Sequence, residues 1–192
     1  MKKLICLCVA LCLLAGLCAC GQDDPEEFVP GSIQLAVTNR IHESLPEFTF
    51  TLHAEPCEDM EGSVSVYAIE IGMEHLSYVM DGFETLTSVL LPVYGLSFSD
   101  FNGDGYLDIQ LLKYPGGSMR NEPSIFWLWD IEKNEFVRNK QLEEIAESAG
   151  ISVEEDGRVS AYTRVGIGES VTTYYSYIDG EFVLVETMEE DQ

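Results

Sequence analysis

Short runs in which apolar and polar residues alternate recur along most of this chain. Ile33 to Thr38, Phe48 to His53, Val64 to Ile71, Leu76 to Met80, Leu86 to Leu90 and Tyr94 to Phe98 make up a first group. Leu107 to Leu112, Ser124 to Trp129, Phe136 to Arg138, Arg158 to Tyr162, Val171 to Ile178 and Phe182 to Glu186 continue it. A period of two predicts strands with one buried face. Glu132-Lys133-Asn134-Glu135, Glu155-Asp156-Gly157 and Asp179-Gly180 separate neighbouring runs with tight-turn residues, so consecutive strands should pair antiparallel. One stretch follows another period. Leu142, Ile145, Ala146 and Ala149 share a face at helical spacing, with Asn139 placed to cap the start and Gly150 to end it. The expected fold is mostly β: an antiparallel meander, a propeller-like fragment or a two-sheet sandwich, with one short α-helix over about 139-149.

The first thirty residues read differently. Lys2 and Lys3 precede an apolar run from Leu4 to Leu17, which is short for a permanent membrane anchor and shaped like a secretory signal. It ends Leu17-Cys18-Ala19-Cys20, which resembles the lipobox of bacterial lipoproteins, with an aliphatic residue at -3, a small one at -1 and then the acylated cysteine. The resemblance implies that residues 1-19 are a leader and that Cys20 carries the lipid. Residues 20-30, with Gln22 to Pro30 charged and proline-broken, then form a flexible acidic tether, and 31-192 a single β-rich domain. The protein is expected to be exported and held at the cell membrane by acyl chains alone, facing the periplasm or the exterior. With the leader cysteines removed and Cys20 acylated, Cys57 is the remaining thiol. No internal disulfide is then expected, and the fold must rest on its core.

Composition supports that core. The 192 residues are 46% hydrophobic, enough for one packed domain. Ten Lys plus Arg against 34 Asp plus Glu leave a net charge of -24, which excludes nucleic acid as a partner because phosphate attraction dominates such binding. Enzyme motifs are absent: there is no Gly-x-Ser-x-Gly, no P-loop and no His-Glu-x-x-His. Carboxylates are too abundant to nominate a glycosidase pair, and His42, His53 and His75 lack zinc-ligand spacing. A non-enzymatic role is expected.

The sharpest chemical feature is Asp100-Phe101-Asn102-Gly103-Asp104-Gly105-Tyr106-Leu107-Asp108. Side-chain oxygens of Asp100, Asn102, Asp104 and Asp108 fall at positions 1, 3, 5 and 9, glycine at 6, and the Tyr106 carbonyl at 7. That spacing can wrap a loop around a hard cation, and Ca2+ is the expected cofactor, with magnesium the weaker candidate. An EF-hand needs an acidic residue at position 12, where this chain has Leu111, and its flanks should be helical rather than alternating by two. The loop therefore joins strands and resembles the calcium loops of integrin-type FG-GAP repeats and related bacterial modules. Such a site would pin the hairpin with a modest affinity, on the order of 10⁻⁴ to 10⁻³ M. The alternative is an acidic hairpin held by Asx turns without a metal.

Beyond this loop the order is Gly116-Gly117-x-x-x-Asn121, then Trp127-x-Trp129-Asp130, Phe136, the short helix, and Tyr174-Tyr175. Over about Leu96 to Glu186 this order resembles a family of bacterial periplasmic lipoproteins whose described member is an immunity protein. The resemblance implies a protein that blocks a lysozyme-like peptidoglycan hydrolase delivered between bacteria by a type IV secretion system. The acidic charge agrees with a cationic partner, and solubility explains it equally. Tyr114 to Asn121 is a glycine-containing connection suited to recognition, so Gly117, Arg120 and Asn121 are the candidate partner-binding residues, with Arg120 available to carboxylates. Trp127 and Trp129 point to one side of their strand and read as core. Exposed, they would instead favour a surface adhesion or glycan-binding module. A small hydrolase with an unrecognised site is the third reading.

Overall fold

The computed structural model describes residues 33–74, 76–115 and 121–191. Within them the expected alternation becomes a buried face. β1 (Ile33–Asn39) pairs with β2 (Phe48–Pro56), where Phe48, Phe50, Leu52 and Ala54 are buried while the residues between them are not. β3 (Ser63–Met73) continues the pattern with Val64, Val66, Ile69 and Ile71, its register to β2 shifting once at His53/Ala54. β4 (Leu76–Met80) and the short β5 (Thr87–Ser88) both pair with β3, completing a sheet in the order β1-β2-β3-β4.

A second sheet follows in simple up-and-down order: β6 (Leu96–Ser99), β7 (Asp108–Leu112), β8 (Ser124–Asp130) and β9 (Glu135–Arg138). After the helix α1 (Lys140–Ala146) the third sheet runs β10 (Gly150–Val153), β11 (Val159–Arg164), β12 (Glu169–Ile178) and β13 (Glu181–Asp191). Among the described residues, every strand pairing is antiparallel. The fold is thus mostly β and built of antiparallel meanders, as expected, in three sheets rather than two.

β8 explains how the layers hold. Ile125, Trp127 and Trp129 join a core with β2 and β3, whereas Phe126 and Leu128 join a second core with Leu142 and Ala146 of α1 and with Ile151, Val159, Ala161 and Phe182. A strand covered on both faces needs a continuous apolar run, which Ile125 to Trp129 supplies. Fully burying each such side chain stabilises the fold by roughly 1.5–3 kcal/mol, an upper estimate given residual burial in the unfolded chain.

Local departures have local causes. The Asn139 side chain caps α1 by accepting from the Leu142 amide at 2.9 Å, as the sequence predicts, but the helix stops at Ala146. Gly150 does not end it; it opens β10, opposite Tyr162, because Ala149 and Ile151 turn inward to the second core. Pro92–Gly95 is a tight 3-10 turn in place of the strand start expected at Tyr94. Val93 and Tyr94 adopt positive φ of 47° and 52°, and the Thr87 hydroxyl donates to the Tyr94 carbonyl at 3.1 Å. Glycine is required next: a Cβ on Gly95 would lie 2.8 Å from that of Leu112. No helix among the described residues is long and apolar enough to cross a membrane.

Candidate functional site

The nine-residue loop sits between β6 and β7, as its flanks imply. Gly103 and Gly105, at φ of 73° and 88°, let the chain coil around the carboxylate of Asp100. One Asp100 oxygen accepts from the amides of Gly103 at 2.7 Å and Asp104 at 3.2 Å, the other from Gly105 at 2.9 Å. Asn102 donates its side-chain nitrogen to Asp104 at 2.9 Å and accepts from the Asp104 amide, while Asp104 accepts from the Tyr106 amide at 2.9 Å. Asp100, Asn102 and Asp104 are therefore one connected cluster. The Leu107 amide next to it donates to the Ile41 carbonyl at 2.8 Å, and the His42 ring stacks on Tyr106 with centroids 4.1 Å apart. Both contacts tie the loop to the β1–β2 connection.

Asp108 has a different setting. Its side chain is fully buried, one oxygen accepting from the Phe101 amide and the other from the Trp129 amide, both at 2.8 Å. The carboxylate thereby bridges the start of the loop to β8. Burial raises its pKa to about 7 against the lowering effect of those amides, and the charges of Asp104 and Asp100 raise it further. Among the described residues, no basic side chain hydrogen-bonds or ion-pairs with any of these three carboxylates.

The donor chemistry fits a hard cation: carboxylate, amide and carbonyl oxygens, with neither cysteine nor histidine ligands. Each Asp108 oxygen and the Asp100 oxygen facing Gly105 accept one amide and keep a second lone pair, whereas the Asp100 oxygen shared by Gly103 and Asp104 has both engaged. By placement, no group of three or more His, Cys, Asp or Glu side chains among the described residues is arranged to hold a metal ion. Asp104 is the exposed member, while both oxygens of Asp100 and of Asp108 are already engaged by backbone amides.

The other expected site is the β7–β8 connection. Both of its ends converge on Glu147, just past α1. Lys113 pairs with that carboxylate at 2.6 Å, the Tyr114 hydroxyl donates to it at 2.8 Å, and Asn121 donates its side-chain nitrogen to the Glu147 carbonyl at 3.1 Å. Hydrogen bonds from Lys113 first, then Tyr114, hold the Glu147 carboxyl below its ordinary value. The Glu122 amide adds a bond to the Ala149 carbonyl at 3.2 Å. Glu147 escapes sequence reading because an exposed glutamate after a short helix looks like any solvated charge.

The chain is similar in structure to a solved Xanthomonas protein described as related to a type IV secretion system. The TM-score is 0.60 at 19% sequence identity, covering 83% of this chain and 88% of that one. No protein family model and no curated protein matches the chain. At that identity, the likeness shows a shared fold.

Trp127 and Trp129 are 4% and 3% exposed, so they build the core and offer no sugar platform. Beside the loop, a cleft of about 340 Å³ gathers Asn102, Trp129, Asp130, Arg138 and Tyr177 from distant parts of the sequence. Burial, then the charges of Asp108, Asp104 and Asp130, raise the Tyr177 hydroxyl pKa. Of the remaining candidates, Cys20, Gly117 and Arg120 lie outside the described residues, as do the leader and tether.

Proposed function

We propose that this protein is a non-enzymatic, lipid-anchored envelope protein whose calcium-braced β domain binds a partner protein and inhibits a peptidoglycan hydrolase. The observation that carries this reading is the fixing of both ends of the β7–β8 connection on Glu147. A recognition segment binds more tightly when its ends are already ordered, because less conformational entropy is lost on docking. Support also comes from the sequence resemblance to immunity lipoproteins and the fold shared with a secretion-related protein. The charge of -24 would steer a cationic hydrolase toward the domain. Arg120, on this reading, meets acidic groups of the partner, with Gly117 and Asn121 shaping the approach.

The test is inhibition of lysozyme-type muramidases, including any encoded beside this gene, followed as turbidity of a peptidoglycan suspension. Arg120→Ala should weaken inhibition at least tenfold, a loss of about 1.4 kcal/mol. Glu147→Ala should weaken it as well while changing stability by about 1 kcal/mol or less, since exposed ion pairs contribute little. Full lysis in the presence of the wild-type protein would overturn the proposal.

Calcium is tested separately. Asp100, Asn102, Asp104, the Tyr106 carbonyl and Asp108 would hold it, and the ion would offset their mutual repulsion. At 10 mM calcium and a Kd of about 10⁻⁴ to 10⁻³ M, mass action stabilises by roughly 1.4–2.7 kcal/mol, or about 3–10 °C in Tm. Asp104→Ala should remove that shift. An equal shift in the variant would remove these residues as ligands.

A further inference from the structure

β13 is an edge strand with an unusual amount left uncovered. Among the described residues it pairs with β12 alone. Val183, Leu184, Val185 and Met188 are 42%, 54%, 48% and 43% exposed. Edges of this length are ordinarily blunted by lysine, proline or a covering element, because their unpaired N–H and C=O groups invite another strand. β13, from Glu181 to Asp191, contains neither lysine nor proline. Its register to β12 shifts between Tyr174 and Tyr175, which leaves Val185 without a partner residue there.

One contact shows what this edge accepts. The Gln141 side-chain nitrogen donates to the Phe182 carbonyl at 2.6 Å, and the Phe182 amide donates to the Gln141 oxygen at 2.7 Å. A primary amide thus sits where the peptide group of a neighbouring strand would sit, so the backbone groups of Phe182 face away from β12. Alternate residues farther along direct theirs to the same open side.

Charge selects the occupant. Glu181, Glu186, Glu189, Glu190 and Asp191 make every ionisable residue of β13 acidic. A second copy would set carboxylates against carboxylates, which destabilises cross-strand pairing, whereas lysines or arginines at those places stabilise it. Arg158, in the turn before β11, already pairs with Glu186 at 2.6 Å. We propose that the open edge of β13 takes an extended, basic segment of a partner protein as an added strand. This goes beyond the function proposed above and holds whichever ligand the loops bind.

The probe is a peptide of about ten residues alternating lysine and valine, added to the full chain and followed by backbone hydrogen–deuterium exchange. Amides within Leu184 to Asp191 should exchange at least roughly tenfold more slowly with peptide bound, and those of β1 should not change. N-methylation of alternate peptide residues, or glutamate in place of lysine, should abolish that protection. The double variant Glu189→Lys, Glu190→Lys should bind the lysine peptide roughly tenfold more weakly with an unchanged Tm. Protection elsewhere, no protection, or equal binding of the N-methylated peptide would overturn the proposal. So would self-association through β13 in sedimentation, which would make a second copy the occupant.

Discussion

Asp108→Ala is expected to lower the unfolding free energy by about 3 kcal/mol in urea titrations near pH 6. The substitution leaves the Phe101 and Trp129 amides without their acceptor in a site closed to water. Each such orphan costs about 1–3 kcal/mol, which puts the pair at about 2–6 kcal/mol before any local rearrangement. Asp108→Asn should cost about half as much, because one oxygen still accepts while the amide nitrogen turns a donor toward the other N–H. A loss under about 0.5 kcal/mol for Asp108→Ala would show that the bridge from loop to β8 contributes nothing.

The same residue sets a pH dependence. Its folded pKa of about 7 lies above the ordinary value of 3.8, mainly through burial. The folded protein therefore binds this proton more tightly than the unfolded chain does. The resulting stabilisation is complete below 3.8 and is lost as pH rises through about 7. In a chelator, the wild type should lose stability from pH 5 to pH 8 relative to Asp108→Asn, which has no proton to lose. Parallel curves for the two would place the titration outside that window. Calcium added at pH 8 should narrow the difference, since a cation beside the loop favours the ionised carboxylate.

This site was half legible in the sequence. Asp100, Asn102 and Asp104 act within a few residues of one another, so spacing alone brought them together. Asp108 looked like a fourth member of that set, yet its second partner is the amide of Trp129, 21 residues away on another strand. No local pattern encodes a contact of that reach. The strands divide in the same way. β2, β3 and β12 announce themselves by alternation, whereas β10 is four residues long, beginning at a glycine that reads equally as a helix stop. Its strand character comes from pairing with β11 and from burial of Ile151, both tertiary. The run from Leu86 to Leu90 is mostly not a strand. Its order Leu-Thr-Ser-Val-Leu does not hold a period of two, only Thr87 and Ser88 find partners on β3, and Leu90 is 88% exposed.

Trp129→Ala should be the most damaging single change, costing about 4 kcal/mol, within the 3–5 kcal/mol typical of large aromatic truncations. The indole stands edge-on to Phe48 at 5.4 Å and to Phe136 at 5.0 Å, joining the first sheet to the second. Removing it opens a void where β2, β8 and β9 meet, lined by the Phe48 and Phe136 rings. A surface sugar platform would behave otherwise, losing ligand while keeping stability. Leu90→Ala is the control and should stay within about 0.5 kcal/mol. Trp129 is also where the two large effects meet: its ring anchors the first core while its amide is held by Asp108. The double variant with Asp108→Ala should therefore depart from additivity by about 0.5–3 kcal/mol. Strict additivity would mean that the loop and the aromatic core are anchored independently, although both use the same residue of β8.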